Sequence, residues 1–160
     1  MRGRFVVGII AGLVAGVLVS MPMWASSAPR SEGPLFAVLL GSNEIGADGK
    51  KGAGDPDGVG SATVLIHEDS QVCFGLTASG ISTPTAAHIH EGKAHQNGPI
   101  VVPLTQPSGG DPGASSGCVP ANPDLLEDIR KHPRQYYVNI HTADFPGGAI
   151  RGQLFHRSGD

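Results

Sequence analysis

The chain has 160 residues, 39% of them hydrophobic and only 16% charged, with a formal net charge of −3. That length allows one domain with a real core. A mildly acidic balance gives no electrostatic reason to bind nucleic acid or anionic lipid, and aromatics, at 5%, are too sparse to form a base-stacking platform.

The N-terminus reads as a targeting segment. Arg2 and Arg4 make a charged start, Phe5 to Val19 is apolar, and Ala25-Ser26-Ser27-Ala28 supplies small residues. The apolar run is about 15 residues, short of the roughly 20 that span a bilayer. Cleavage after Ser27 is expected, giving a signal peptide over 1–27 and a mature domain over 28–160; an uncleaved anchor is the alternative, and the one expected link to a membrane. Nine basic and fourteen acidic residues then remain, a charge of −5.

Strand-like runs follow in order: Leu35–Leu40, Ala62–His67, Val72–Thr77, Ala86–His90, Ile100–Leu104, Tyr136–His141 and Ala149–Phe155. Short β segments joined by glycine- and proline-rich connections predict an all-β, antiparallel β-sandwich or Greek-key barrel. Two connections read as long loops, Gly41–Gly60 and Thr105–Ala121. In the first, Asp55-Pro56-Asp57-Gly58 reads as a turn, since the calcium-loop ligand series and closing glutamate are missing. A single short helix is expected at Pro123–Lys131, with Asn122 as its cap, Pro123 at its first position and Leu125, Leu126 and Ile129 facing the core. Cys73 and Cys118 are the only cysteines. In an exported chain they read as a disulfide closing a loop of about 45 residues.

The chemistry lies in two of the predicted strands. Along Ala87-His88-Ile89-His90-Glu91 the histidines share one face, roughly 7 Å apart, while Ala87 and Ile89 take the other. In Tyr137-Val138-Asn139-Ile140-His141 the face opposite Val138 and Ile140 carries Asn139 and His141. Two in-line imidazoles and a third from another strand suit a transition metal, with His95 nearby as a fourth candidate. Without thiolates the set favours copper or zinc over magnesium or calcium. Asn139, Glu91 and Asp144 are candidates to accept the ring protons. Arg151 is read either as a partner of Glu91 or Asp144 or as an attractor of anions. The competing explanation is a hydrogen-bonded histidine cluster that only steadies its strands. His67, His132 and His156 carry no functional expectation, and no nucleophile elbow, phosphate loop or Cys-x-x-Cys is present.

The blocks Leu40-Gly41-Ser42-Asn43-Glu44, Ala86-Ala87-His88-Ile89-His90-Glu91-Gly92, Gly98-Pro99-Ile100-Val101-Val102-Pro103-Leu104, Tyr136-Tyr137-Val138-Asn139-Ile140-His141-Thr142 and Ile150-Arg151-Gly152-Gln153-Leu154 resemble, in order, a CHRD domain of the bacterial secreted type. The resemblance covers nearly the whole mature chain. It implies an exported module, of the kind that accompanies growth-factor-binding repeats in chordin, and it implies no assigned reaction. A weaker resemblance is to copper/zinc superoxide dismutase. That enzyme also has a His-x-His strand, a later copper-ligating histidine, and a glycine-rich turn before an arginine facing the copper. Here His88, His90, His141 and Arg151 would take those places, and His95 that of the bridging histidine. The short Lys93–Pro99 segment and the lack of an Asp/His zinc set depart from that pattern.

Three functions stay open: an extracytoplasmic binding module holding copper or zinc, a metal-free protein-interaction domain at the cell surface with an unidentified protein partner, and a single-copper dismutase. No complete catalytic set is present.

Overall fold

The computed structural model describes Gly3 and residues 33–67 and 70–157, so the expected signal segment lies outside the described residues. The strands are β1 (Leu35–Leu40), β2 (Val59–His67), β3 (Gln71–Ser79), β4 (Pro84–Glu91), β5 (Ile100–Leu104), β6 (Gly113–Pro120), β7 (Tyr136–Thr142), β8 (Ile150–Gln153) and β9 (Phe155–His156). One helix, α1, spans Pro123–Lys131. Among the described residues no helix is long and apolar enough to cross a membrane.

All strand pairings are antiparallel, in the order β5-β4-β7-β8-β1-β2-β3-β6, with β9 added against β1. The edge strands β5 and β6 approach each other, and Ser115 Oγ of β6 donates to Thr105 O just past β5 at 2.7 Å. The sheet thus curls into a nearly closed barrel, which is how an all-β chain limits its exposed edges. The predicted all-β antiparallel class, with one short helix, is what forms.

Alternation dictates the interior. Leu35, Ala37 and Leu39 of β1, Ala62 and Val64 of β2, Val72, Phe74 and Leu76 of β3, Ala87 and Ile89 of β4, and Val138 and Ile140 of β7 are all buried in one core. The helix packs on this core through Leu126 and Ile129, with Leu125 partly buried. Its start is held as expected: Asn122 Oδ1 accepts from Asp124 N at 2.8 Å and Leu125 N at 3.2 Å.

Three segments differ from the sequence expectation. The supposed loop Thr105–Ala121 contains strand β6, paired with β3 from Gln71↔Pro120 to Ala78↔Gly113. Its sequence, GASSGCVP, has no apolar alternation because most of it faces solvent. Its pairing comes from β3, and Cys73 lies directly opposite Cys118, where the disulfide forms. The final strand divides at Leu154: β8 pairs with β7, β9 with β1, and the fully buried Leu154 donates its N–H to Tyr136 O at 3.0 Å. Strand β2 begins at Val59, which shortens the first long loop. There the Asp55–Gly58 stretch is a turn, with Asp57 N on Asp55 Oδ1 and Gly58 N on Asp55 O.

Candidate metal centre

Strands β4 and β7 are in register with His88 opposite Asn139, His90 opposite Tyr137 and Ala86 opposite His141. The polar face of this pair therefore carries His88 and His90 beside Tyr137, Asn139 and His141. A register shift against β5, from Ile89↔Val102 to His90↔Ile100, lies beside His90. Such irregularities re-aim a side chain at the edge of a site.

The three histidines converge. His88 Nδ1 lies 3.1 Å from His141 Nε2, and one ligand atom from each of His88, His90 and His141 falls within 4.8 Å of the others. Carbonyl oxygens only accept, so two tautomers follow directly. His90 Nδ1–H donates to Gly98 O at 2.9 Å, and His141 Nδ1–H donates to Pro146 O at 2.9 Å. The Nε2 of each neutral ring then carries a lone pair. His141 Nε2 turns its lone pair to His88; His90 Nε2, in a side chain only 7% exposed, has no hydrogen-bond partner.

Burial keeps the His88 and His90 rings neutral. His88 is pushed down to about 4, first by burial and then by the neighbouring His141 and His90. His90 is also lowered, again chiefly by burial, with the Gly98 carbonyl opposing the shift. Neutral imidazoles with fixed tautomers are the form a metal requires.

Loops cover this face. Gly98 packs so close to the chain that a Cβ would sit 1.6 Å from Glu91 O, which brings its carbonyl to His90. Arg151, 2% exposed, lies over the Tyr137 ring at 3.3 Å, and Tyr137 stacks on His90 at 4.8 Å between centroids. The guanidinium donates to Lys93 O (3.2 Å), Gln96 O (2.6 Å) and Asn97 Oδ1 (3.0 Å), fastening the 93–97 turn. Asn97 in turn donates to Ile45 O. Glu44, 2% exposed, is buried beneath the β7–β8 turn, where Gly148 takes φ +138° and a Cβ would meet Glu44 Oε1 at 2.3 Å. Burial raises the Glu44 carboxyl to about 7 against the opposing pull of Arg151.

Several expectations are corrected here. His95 is exposed in a left-handed conformation, φ 70°, because the 93–97 turn spends its carbonyls on Arg151 and leaves His95 outside; it is not in the group of three. The ring protons of His90 and His141 go to main-chain carbonyls rather than to Glu91 or Asp144. Glu91 is exposed, and Asp144, in the β7–β8 turn, accepts from Ser82 Oγ of the β3–β4 connection. Arg151 pairs with neither acid; its donors face carbonyls and its plane faces Tyr137. Asn139 is buried on the strand face of His141, beside His90, but its Oδ1 accepts no ring proton. Glu44 and Tyr137 went unrecognised as parts of the site. For Tyr137 a signal existed, since it shares the strand face of Asn139 and His141; for Glu44, in an irregular loop, none did.

The CHRD domain model matches residues 35–154, from the first strand to the last buried residue before β9. The chain belongs to the CHRD family. Neither the comparison with curated proteins nor that with solved structures returns a match. The matched span contains every residue of the histidine cluster and both cysteines.

Proposed function

We propose that this CHRD domain is an extracytoplasmic binding module that holds one copper or zinc ion through His88, His90 and His141. The observation that carries the reading is the buried, unpartnered Nε2 of His90 beside the His88–His141 pair. A buried lone pair without a partner is costly, and an imidazolium is disfavoured there by burial, so a metal cation answers it best. The donor set fits: tetrahedral ligands at 2.0–2.1 Å lie about 3.3 Å apart, close to the 3.1 Å between His88 and His141. The wider separations, up to 4.8 Å, have to contract by as much as about 1.5 Å on loading. In the metal-free protein His88 Nδ1–H donates to His141 Nε2; binding would move that proton to His88 Nε2 within the same ring. Gly98 O and Pro146 O are the outer acceptors that metal-bound histidines ordinarily use.

Export to an oxidising compartment is part of this reading, supported by the family and by the Cys73–Cys118 disulfide. The test is calorimetric titration of the purified protein with Zn(II) and Cu(II). The expected result is saturable binding that is lost in a His88→Ala/His90→Ala/His141→Ala variant. Binding of neither ion above micromolar background would rule the reading out.

A metal-free protein-interaction role is the second reading, favoured by Val38 and Val59, which stand 58% and 48% exposed on neighbouring strands. It predicts that the triple histidine variant keeps any partner the parent captures. The dismutase reading loses its main support at Arg151, which is separated from His90 by the Tyr137 ring and has its donors committed to carbonyls. Copper-loaded protein that dismutes superoxide no faster than free copper would close it.

A further inference from the structure

Among the described residues, the buried side-chain atoms left without a hydrogen-bond partner are Glu44 Oε1, His90 Nε2 and Asn139 Oδ1. They come from distant parts of the chain, yet they belong to one cluster. Asn139 interacts with His90 on one side and with Glu44 on the other. It also stands directly opposite His88 across the β4–β7 ladder, and opposite Arg151 across β7–β8. His90 Nε2 and Asn139 Oδ1 only accept, as does Glu44 Oε1 once ionised, and the Asn139 amide, the donor among these side chains, leaves all three atoms unsatisfied, which calls for a cation. Arg151 does not fill that role: its hydrogen bonds go to Lys93 O, Gln96 O and Asn97 Oδ1, and none reaches the three orphan atoms.

We infer that Asn139 Oδ1 is the fourth donor of the histidine site and that Glu44, held behind it, is the counter-charge that makes the site prefer a divalent to a monovalent ion. The inference rests on the histidine reading and extends it. Position supports the donor role: Asn139 is 2% exposed, on the same strand face as His141 and opposite His88. Its amide has two ends with opposite chemistry, so an oxygen turned to the ion leaves the NH₂ to face the Glu44 carboxylate. The carboxylate lies outside the three-histidine group and acts through Asn139, as a positioning residue. Gly148 makes room for it, since any side chain there would collide with the carboxylate. A bound cation favours the ionised form of the Glu44 carboxyl, and the attraction between that carboxylate and the ion scales with the ion's charge, which is the origin of the preference.

Zn(II) and Cu(I) are the probes, titrated by competition against indicators into parent, Glu44→Gln and Asn139→Ala proteins, with Co(II) absorption reporting the donor set. Glu44→Gln should weaken Zn(II) roughly tenfold to a hundredfold, the usual effect of an outer-shell partner, and weaken Cu(I) markedly less. Asn139→Ala should weaken Zn(II) and shift the visible Co(II) bands. Should the alanine variant fail to fold, as judged by near-ultraviolet circular dichroism, Asn139→Asp replaces it and should retain or tighten Zn(II). Equal weakening of both ions by Glu44→Gln, or no weakening of either, overturns the counter-charge role. Unchanged Co(II) bands in Asn139→Ala, or loss of Zn(II) in folded Asn139→Asp, overturn the donor role. A parent that binds no Zn(II) overturns the histidine reading itself, which separates the two failures.

Discussion

Two strand pairs of this barrel are built on opposite plans. In β3–β6 the added strand is mostly exposed, half glycine and serine, and clamped by the Cys73–Cys118 bond. In β4–β7 both faces are covered: Ala87, Ile89, Val138 and Ile140 fill the core, and His90, Tyr137 and Asn139 are buried under loops on the other side. Strand β6 has little apolar area of its own to bury and is tied to the core strand β3 by a covalent link as well as by its ladder. The second pair buries an apolar face in the core and, on the other, polar atoms that find no partner. Apolar packing on one face of a strand pair is what lets the other face hold a site that costs stability.

Removing the disulfide should separate the two plans most sharply. The chain-entropy relation for a loop of about 45 residues gives roughly 4 kcal/mol. The expected outcome for Cys73→Ser/Cys118→Ser is a loss of that order in denaturant unfolding, with the histidine cluster's metal affinity unchanged in the folded fraction. Loss of affinity in folded protein would mean that the two regions are coupled after all.

The next largest effect concerns the polar face and is read through pH. Glu44, beside Arg151 and Asn139, is raised from its ordinary 4.5 to about 7, so the folded state binds its proton more tightly than the unfolded state. Its contribution to stability is full below about pH 4.5 and is lost as pH rises through about 7. His88 runs the other way: lowered from 6.5 to about 4, it contributes above pH 6.5 and loses that contribution as pH falls toward 4. Glu44→Gln isolates the first trend. In metal-free protein the variant should gain on the parent by up to about 3 kcal/mol between pH 4.5 and 8. A pH-independent difference would show that the carboxyl is not desolvated.

The smallest effect marks an element outside both pairs. Asn122→Ala removes the cap of α1 and should cost about 1 kcal/mol, with no change in metal affinity or in the Glu44 pH response. A larger loss would tie the helix to one of the two regions.

The contrast also explains what was legible in the sequence. Strand β1, strand β5 and helix α1 have the predicted bounds, because alternation, a proline at the first helical position and an asparagine cap are local signals. The convergence of His88, His90 and His141 was legible for the same reason, since a period of two fixes which residues share a face. Strand β6 was not: Ser115, Ser116 and Gly117 carry no pattern, and only pairing to β3 makes them a strand. Nor was Glu44, whose burial depends on Gly148, more than a hundred positions along the chain. His95 misled because proximity in sequence to the histidine pair says nothing about the direction of a turn whose carbonyls are drawn to Arg151.

The central claim is that three particular imidazoles, and not the others, share one ion. Long-range ¹H–¹⁵N spectra of the histidine rings, recorded as Zn(II) is added, test it most directly. The expected result is that the ring nitrogens of His88, His90 and His141 shift together and saturate at one equivalent, while those of His67, His95, His132 and His156 stay in place. Shifts at His95, or no saturable shift among the three, would contradict it.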